Sequence, residues 1–286
     1  SVDIAALAQA TGGNVEAVAR EERYRAAHEV LEQLCMQAHV PMQDGRIFTA
    51  HTQDDRVENF YMRSIVGTGP GGFRGMRYRN GLVCRPCLDL SREELQTLLR
   101  QRALGAAADP SYVCVLDKAG NPWRTDASNE DTDHFRSYVR HSIVPAARER
   151  TPHLLDTLCR TMNLIADEDD MLSSLADDLM AKHVAWLDIE LQDGMNYSSG
   201  CMVSPEVASV AVPLQRRMFT KVLQLVLGEQ ARVETASVEA CVAAFENNAP
   251  ISGYTANIQG NLALSANKKG LRIEPMQFYR ARRNRL

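Results

Sequence analysis

The stretch "RIFTAHTQDDRVENFYMRSIVGTGPGGFRGM", residues 46–76, limits the fold most tightly. "RIFTA" is β-branched and aromatic and reads as a short strand that delivers the chain to His51. Thr52 is placed to N-cap a helix running to about Ser64. A strand that passes directly into a helix and then into a glycine-rich loop belongs to an α/β layer. The C-terminal end of such a strand is where α/β sheets make their ligand contacts. Asp55 and Glu58 lie three apart and share a helix face, and Asp54 and Glu58, four apart, nearly align. Carboxylates grouped in this way can hold Mg²⁺ against a triphosphate. The alternative is a solvated helix start, where acids are favoured by the helix dipole. His51 in front of the cluster and the glycine loop behind it favour the ligand reading. Gly67, Gly69, Gly71, Gly72 and Gly75, with Pro70 among them, suit backbone that passes close to a ligand. No phosphate-gripping loop is evident upstream.

Arginines supply the opposite charge. A helix is predicted over residues 14–39, with Val18, Tyr24, Ala27, Leu31, Leu34 and Cys35 at helical spacing, and it carries Arg20 and Arg23. Arg136 and Arg140 are four apart, so one face presents both, with His141 adjacent. The planar guanidinium fork binds phosphate oxygens bidentately. The competing reading is a surface ion-pair lattice with Glu21, Glu22 or Asp133.

Further elements follow the same logic. "GLVCRPCLDL" is extended, and Ser91 with Glu94 forms a capping box for "REELQTLLRQRAL". Residues 105–129 read as loop, and a helix broken near Pro145 follows. A long amphipathic helix is expected from Pro152 to about His183, with Leu155, Leu158, Met162, Ile165, Leu172, Ala176 and Leu179 on one seam. Helices near 205–228 and 233–246 precede a β-hairpin that turns at "NKKG". The order is α/β in residues 1–150 and mostly helical in residues 151–286. A chain of 286 residues accommodates one large domain or two smaller ones.

The net charge of −4 gives no global basic field, so a nucleic-acid role has to come from local charge. No run of 18 apolar residues marks a membrane span, and the first residues do not read as a signal peptide. Ser1 in place of an initiator Met suggests that the chain begins inside a longer one. Seven irregularly spaced cysteines point to a reducing, cytoplasmic setting. Cys84 and Cys87 form one C-x-x-C, but no second pair completes a zinc site, so they read as ordinary thiols.

Four segments carry a resemblance in consecutive order: "VEAVAREERYRAAHEVL", "TAHTQDDRVENFYMRSIVGTGPGGFRGM", "CRPCLDLSREELQTLL" and "TDASNEDTDHFRSYVRHSIVPAARER". They resemble the PP-loop, or N-type ATP pyrophosphatase, family, and within it the lysidine-forming branch that modifies tRNA(Ile). The resemblance is strong over residues 15–175 and weak beyond. It implies an adenine-nucleotide alpha-hydrolase-like (Rossmann-like) parallel-sheet domain, then a helical tRNA-binding domain. It implies ATP and Mg²⁺ as cofactors, tRNA(Ile) and lysine as partners, and ligation of lysine to C2 of the wobble cytidine through an adenylated intermediate. His51, Asp54, Asp55, Glu58, Arg136 and Arg140 would be catalytic. Arg20, Arg23, Gly67 and Gly69 would bind the nucleotide, and Asp55 and Glu58 would hold the metal. No membrane association is implied, and a homodimer is left open.

The sequence departs from the family pattern in places. The S-G-G-x-D-S loop and the H-x-D-H-x-x-R segment are not found, so the chain is expected to lack the N-terminal PP-loop segment, to be truncated at its N-terminus and to be inactive alone. Val66 replaces the Arg of R-G-S-G, Asn59 the Thr of E-T, Ala127 the Pro of D-P-S-N, and Ser137 an Asn. Cys87 stands where Leu is usual. Two rival readings stay open: another PP-loop tRNA-modifying enzyme such as a thiolase, and a degenerate tRNA-binding protein without catalysis. In the second half, Arg216, Arg217, Lys221, Arg280, Arg282, Arg283 and Arg285 are candidates for tRNA phosphate contacts.

Overall fold

In a computed structural model of the chain, the described residues are 2–105, 114–124, 135–187, 197–228, 231–246 and 253–283. They fall into two compact units, Ser1–Ala166 and Asp167–Leu286.

The first unit opens with α1 (Ile4–Thr11) and α2 (Val15–Ala38), which matches the helix predicted over 14–39. The strand expected in "RIFTA" is β1, Ile47–Phe48. It leads through Thr49–His51 into α3, Gln53–Val66. Asp55 closes the start of α3, its Oδ2 accepting from the Thr52 backbone N–H (2.8 Å) and the Thr52 hydroxyl (3.0 Å). The remaining strands are β2 (Arg79–Asn80) and β3 (Val83–Cys84), and the sheet order is β1-β3-β2.

The sheet is mixed, not purely parallel as expected. β1 runs parallel to β3, whereas β2 and β3 are antiparallel, with Asn80 opposite Val83. The physical reason is the two-residue connection between them, which begins with Gly81 at φ +57°. A loop that short can join only antiparallel neighbours.

Ser91 and Glu94 form the expected capping box at α4 (Arg92–Gly105). Glu94 Oε2 accepts from the Ser91 N–H and hydroxyl, both at 2.7 Å, and the Glu94 N–H donates to Ser91 Oγ at 3.2 Å. The helix expected to be interrupted near Pro145 runs as α5 (Phe135–Tyr138), a π turn (Val139–Ile143) and α6 (Val144–Arg150), the interruption being the π turn. Pro145 cannot donate a backbone hydrogen bond, and widening the preceding turn lets the helix pass it. Residues 125–134, including Ala127 and Asp133, and residues 106–113 lie outside the described set. The core of this unit is Val57, Val139, Val144, Leu154, Leu155, Cys159 and Met162.

The long helix is α7, Leu154–His183. Leu155 and Met162 of its seam belong to the first unit's core, and Ala176 and Leu179 belong to the second's. The second unit was expected to be helical with a closing hairpin. It holds α8 (Val212–Leu227) and α9 (Thr235–Glu246), but also a five-stranded antiparallel sheet. Its strands are β4 (Val184–Trp186), β5 (Cys201–Val203), β6 (Gly253–Ile258), β7 (Leu262–Asn267) and β8 (Gly270–Pro275), in the order β4-β5-β8-β7-β6. The hairpin read at "NKKG" is the β7–β8 pair, closed at Asn267↔Gly270. α8 and α9 supply Met218, Phe219, Val222, Leu223, Val238 and Cys241 to the buried core beneath this sheet.

α10 (Met276–Arg283) ends the described chain. It is tied to β8 through the buried Glu274, which accepts from Arg282 Nη2 at 2.6 Å and pairs with Arg272 at 2.9 Å. No helix among the described residues is long and apolar enough to cross a membrane.

Candidate nucleotide and anion site

The site is built where β1 and β3 end. The Thr49 N–H donates to the Cys84 carbonyl at 2.9 Å, so the chain leaving β1 runs beside the chain leaving β3. α3 starts four residues later, at Gln53, and its first two turns carry Asp54, Asp55 and Glu58 toward two other helices.

Glu58 is buried, its side chain only 2% exposed, and three arginines converge on it. Arg140 donates through Nε to Oε1 (2.6 Å) and through Nη2 to Oε2 (2.9 Å). Arg136 Nε donates to Oε2 at 3.0 Å, and Arg92 Nη2 reaches Oε1 at 3.4 Å. Asp55 Oδ1 accepts from Arg136 Nη2 at 2.8 Å, while its Oδ2 is held by Thr52. Asp54 Oδ2 accepts the Arg92 backbone N–H at 2.7 Å and so fastens the start of α4 to α3. Glu58, by its hydrogen bonds, holds the Arg140 guanidinium above its ordinary value.

This arrangement does not fit a Mg²⁺ ion held by Asp55 and Glu58. Three guanidinium groups occupy the oxygens that a hard cation would need. Among the described residues, no group of three or more His, Cys, Asp or Glu is arranged to hold a metal. All seven cysteines, Cys84 and Cys87 included, are free thiols.

On the other side of Asp55 lies a pocket of about 490 Å³. α2 contributes Arg20, Arg23, Tyr24 and Ala27, the end of β1 contributes Ile47 to His51, and α3 contributes Asp55. Arg20 lies over the Tyr24 ring, 5.4 Å from its centre. Neither Arg20 nor Arg23 forms a hydrogen bond or ion pair with any described residue. The pocket thus combines an aromatic and aliphatic wall with two arginines whose donors are unused. Such a lining suits a flat base bearing phosphates.

His51 meets Thr49 Oγ1 through Nδ1 at 3.0 Å, which leaves its other ring nitrogen for the pocket. Burial pushes its ring below the usual imidazole value of 6.5; Asp55 opposes this, and Arg85, Arg136 and Arg20 reinforce it. His51 is therefore neutral at pH 7. Its titration, followed by ring-proton NMR, is expected to fall below 6.5. Because the folded value is the lower one, unfolding takes up a proton in that window. The residue's effect on stability is absent well above pH 6.5, grows unfavourable as pH falls from 6.5 toward the folded value, and is constant below it.

Structure brings His51, Asp54, Asp55, Glu58, Arg136 and Arg140 to one place, with Arg20 and Arg23 across the pocket. Gly67 and Gly69 are not among the pocket's lining residues. Gly67 ends α3 with φ +90°, and a Cβ at either glycine would meet open space. Sequence reasoning missed Arg92, whose partner Glu58 is 34 residues away. It also missed Arg56, in the first turn of α3. Arg56 is fully buried and donates to Asn163 Oδ1 (2.5 Å) and the Tyr78 hydroxyl (3.2 Å).

Residues 1–115 match the family model of the PP-loop domain. The match starts at the first residue, which overturns the expectation that this chain lacks the N-terminal PP-loop segment. That expectation, and with it the expected truncation and inactivity, rested on two strings not found in the sequence, S-G-G-x-D-S and H-x-D-H-x-x-R, whereas the match extends over residues 1–115. The chain is also similar to proteins named tRNA(Ile)-lysidine synthase. The one from Thermus thermophilus is 35% identical over 176 residues, covering 62% of this chain and 29% of that protein. The one from Salinispora arenicola is 36% identical over 169 residues, covering 57% and 43%. The one from Geobacillus kaustophilus is 28% identical over 230 residues, covering 79% and 41%. The chain thus spans less than half the length of each of these relatives.

Proposed function

We propose that this chain carries the nucleotide site of a tRNA(Ile)-lysidine synthase. The pocket is the observation that carries the reading: two arginines without a partner among the described residues face a neutral histidine at the exit of a parallel strand pair. ATP bound there would supply an activated phosphoryl centre, transferring AMP to the C2 oxygen of the cytidine and releasing pyrophosphate. The amine of lysine then displaces AMP, forming the new C–N bond. Arg20 and Arg23 would take the phosphate charge. Arg136 and Arg92, partly exposed at the rim of the carboxylate cluster, would face the substrate base or its phosphate. Similarity to proteins named for this activity supports the choice of reaction.

The second unit's share in tRNA binding is narrower than its arginine count suggests. Arg216 pairs with Glu239, Arg217 with Asp169, Lys221 with Asp177, and Arg282 with Glu274. Arg280 and Arg283 on α10 are exposed, and they are the residues we assign to tRNA phosphates. Arg285 lies outside the described residues.

The test supplies ATP, tRNA(Ile) and labelled lysine to a protein carrying this chain and measures lysine incorporation. Incorporation is expected, and the Arg20→Ala/Arg23→Ala double variant should lose it together with ATP binding. Unchanged ATP affinity in the double variant would remove the pocket from the reading. Arg280→Glu/Arg283→Glu should weaken tRNA binding and flatten its salt dependence by a slope of about 2.

A further inference from the structure

Arg85 follows β3 directly and is buried, with only 8% of its surface exposed. Its one side-chain hydrogen bond is Nη1 to the Arg77 carbonyl at 2.9 Å, and its buried Nε has no partner. No described carboxylate pairs with it. A guanidinium carries five N–H donors and a full charge, and burying one without a counterion is costly. Proteins that keep such a group in place have a compensating anion elsewhere, either permanent or bound.

The register says where that anion would come from. Ile47 pairs with Val83 and Phe48 with Cys84, so Arg85 falls beside Thr49, and the Thr49 N–H to Cys84 carbonyl bond fixes this alignment. Thr49, Ala50 and His51 line the pocket. Arg85 thus sits one strand behind the pocket wall formed by the end of β1. Its backbone is pinned as well, its N–H donating to the Tyr78 carbonyl at 2.8 Å. The charged and titratable groups acting on His51 from the elements around it are Asp55 of α3, Arg136 of α5, Arg20 of α2 and Arg85 itself.

We propose that Arg85 is a positioning residue of the pocket: its uncompensated buried charge draws the ligand's phosphates against the strand ends and is neutralised when they bind. This rests on the pocket being a phosphate site, as proposed above. Arg85 acts over the thickness of the strand wall, through the field at His51 and Thr49, and not by touching the ligand.

The inference has an unusual signature. Arg85→Met keeps much of the side chain's shape and removes the charge. The apo protein should then melt at the same temperature or higher, because a buried charge without a partner is gone. Affinity for inorganic pyrophosphate and for ATP, read by calorimetry, should fall roughly tenfold or more. Arg85→Lys keeps the charge and should keep most of the affinity, even if its own stability drops. The His51 ring should titrate at higher pH in the Met variant than in the wild type or the Lys variant.

If Arg85→Met binds pyrophosphate as the wild type does while Arg23→Ala loses it, the inference is overturned and the pocket stands. If neither variant loses affinity, the phosphate site itself is wrong. Equal loss in the Met and Lys variants would show a steric role and also overturn the inference.

Discussion

Glu58→Ala should cost about 3–5 kcal/mol of stability, the range for breaking a buried ion pair by removing one partner. Glu58 is the acceptor for both ends of Arg140, for Arg136 Nε and for Arg92. Its removal leaves three guanidiniums facing one another, with Asp55 still in bonding range of them. Arg140 suffers most, since it is the least exposed of the three. Two further losses add to this. Glu58 shares the ties from α3 to α4 and α5 with Asp54 and Asp55, so its loss weakens them, and α3 also carries Val57 in the first unit's core. Urea denaturation of the wild type and the variant reads the difference. Glu58→Leu, which fills the space without the charge, should recover little, because the three arginines still lack this carboxylate. A loss below about 1 kcal/mol would mean that the arginines relax into solvent and that the cluster does not brace the helices.

The parts of this arrangement visible in the sequence are those set by local spacing. The face shared by Asp55 and Glu58, the Arg136–Arg140 pair, the Ser91–Glu94 box and the hairpin at "NKKG" are each decided within a few residues, and each has the expected geometry. What the carboxylates hold is decided over distances of 34 to 82 residues. A sequence reading sees acids near a glycine loop and infers a cation. The fold brings three arginines there first. Arg85 was hidden for a similar reason, since its burial and missing counterion appear only once β1 and β3 are in register. In the second unit, β4 and β5 are three residues long and pair across long separations, with Cys201 opposite Ile273. β4 directly continues α7, and its three residues are too few to show a period of two.

Asp55→Ala should reduce ATP-dependent lysine incorporation by about 100-fold or more while leaving a folded protein. Asp55 is the residue shared by the pocket lining and the arginine cluster. One oxygen receives Arg136 Nη2 and the other receives Thr52, so a single carboxylate sets both the rim arginine and the first turn of α3. Losing the cap costs about 1 kcal/mol, which the fold can absorb. Losing the Asp55 contact leaves the Arg136 guanidinium held by Glu58 through Nε alone and free to swing. Misplacing a positioning group by about 1 Å can cost on the order of 100-fold in rate. Asp55→Asn separates the two effects: its amide oxygen can still accept from Thr52, but it has no charge to orient Arg136. Its stability should approach that of the wild type and its activity that of Asp55→Ala. Single-turnover incorporation of labelled lysine into tRNA(Ile), run beside thermal melts of both variants, makes the comparison. Near-normal turnover in Asp55→Asn would assign Asp55 to capping alone and would move the chemistry to the Arg20, Arg23 and His51 side of the pocket.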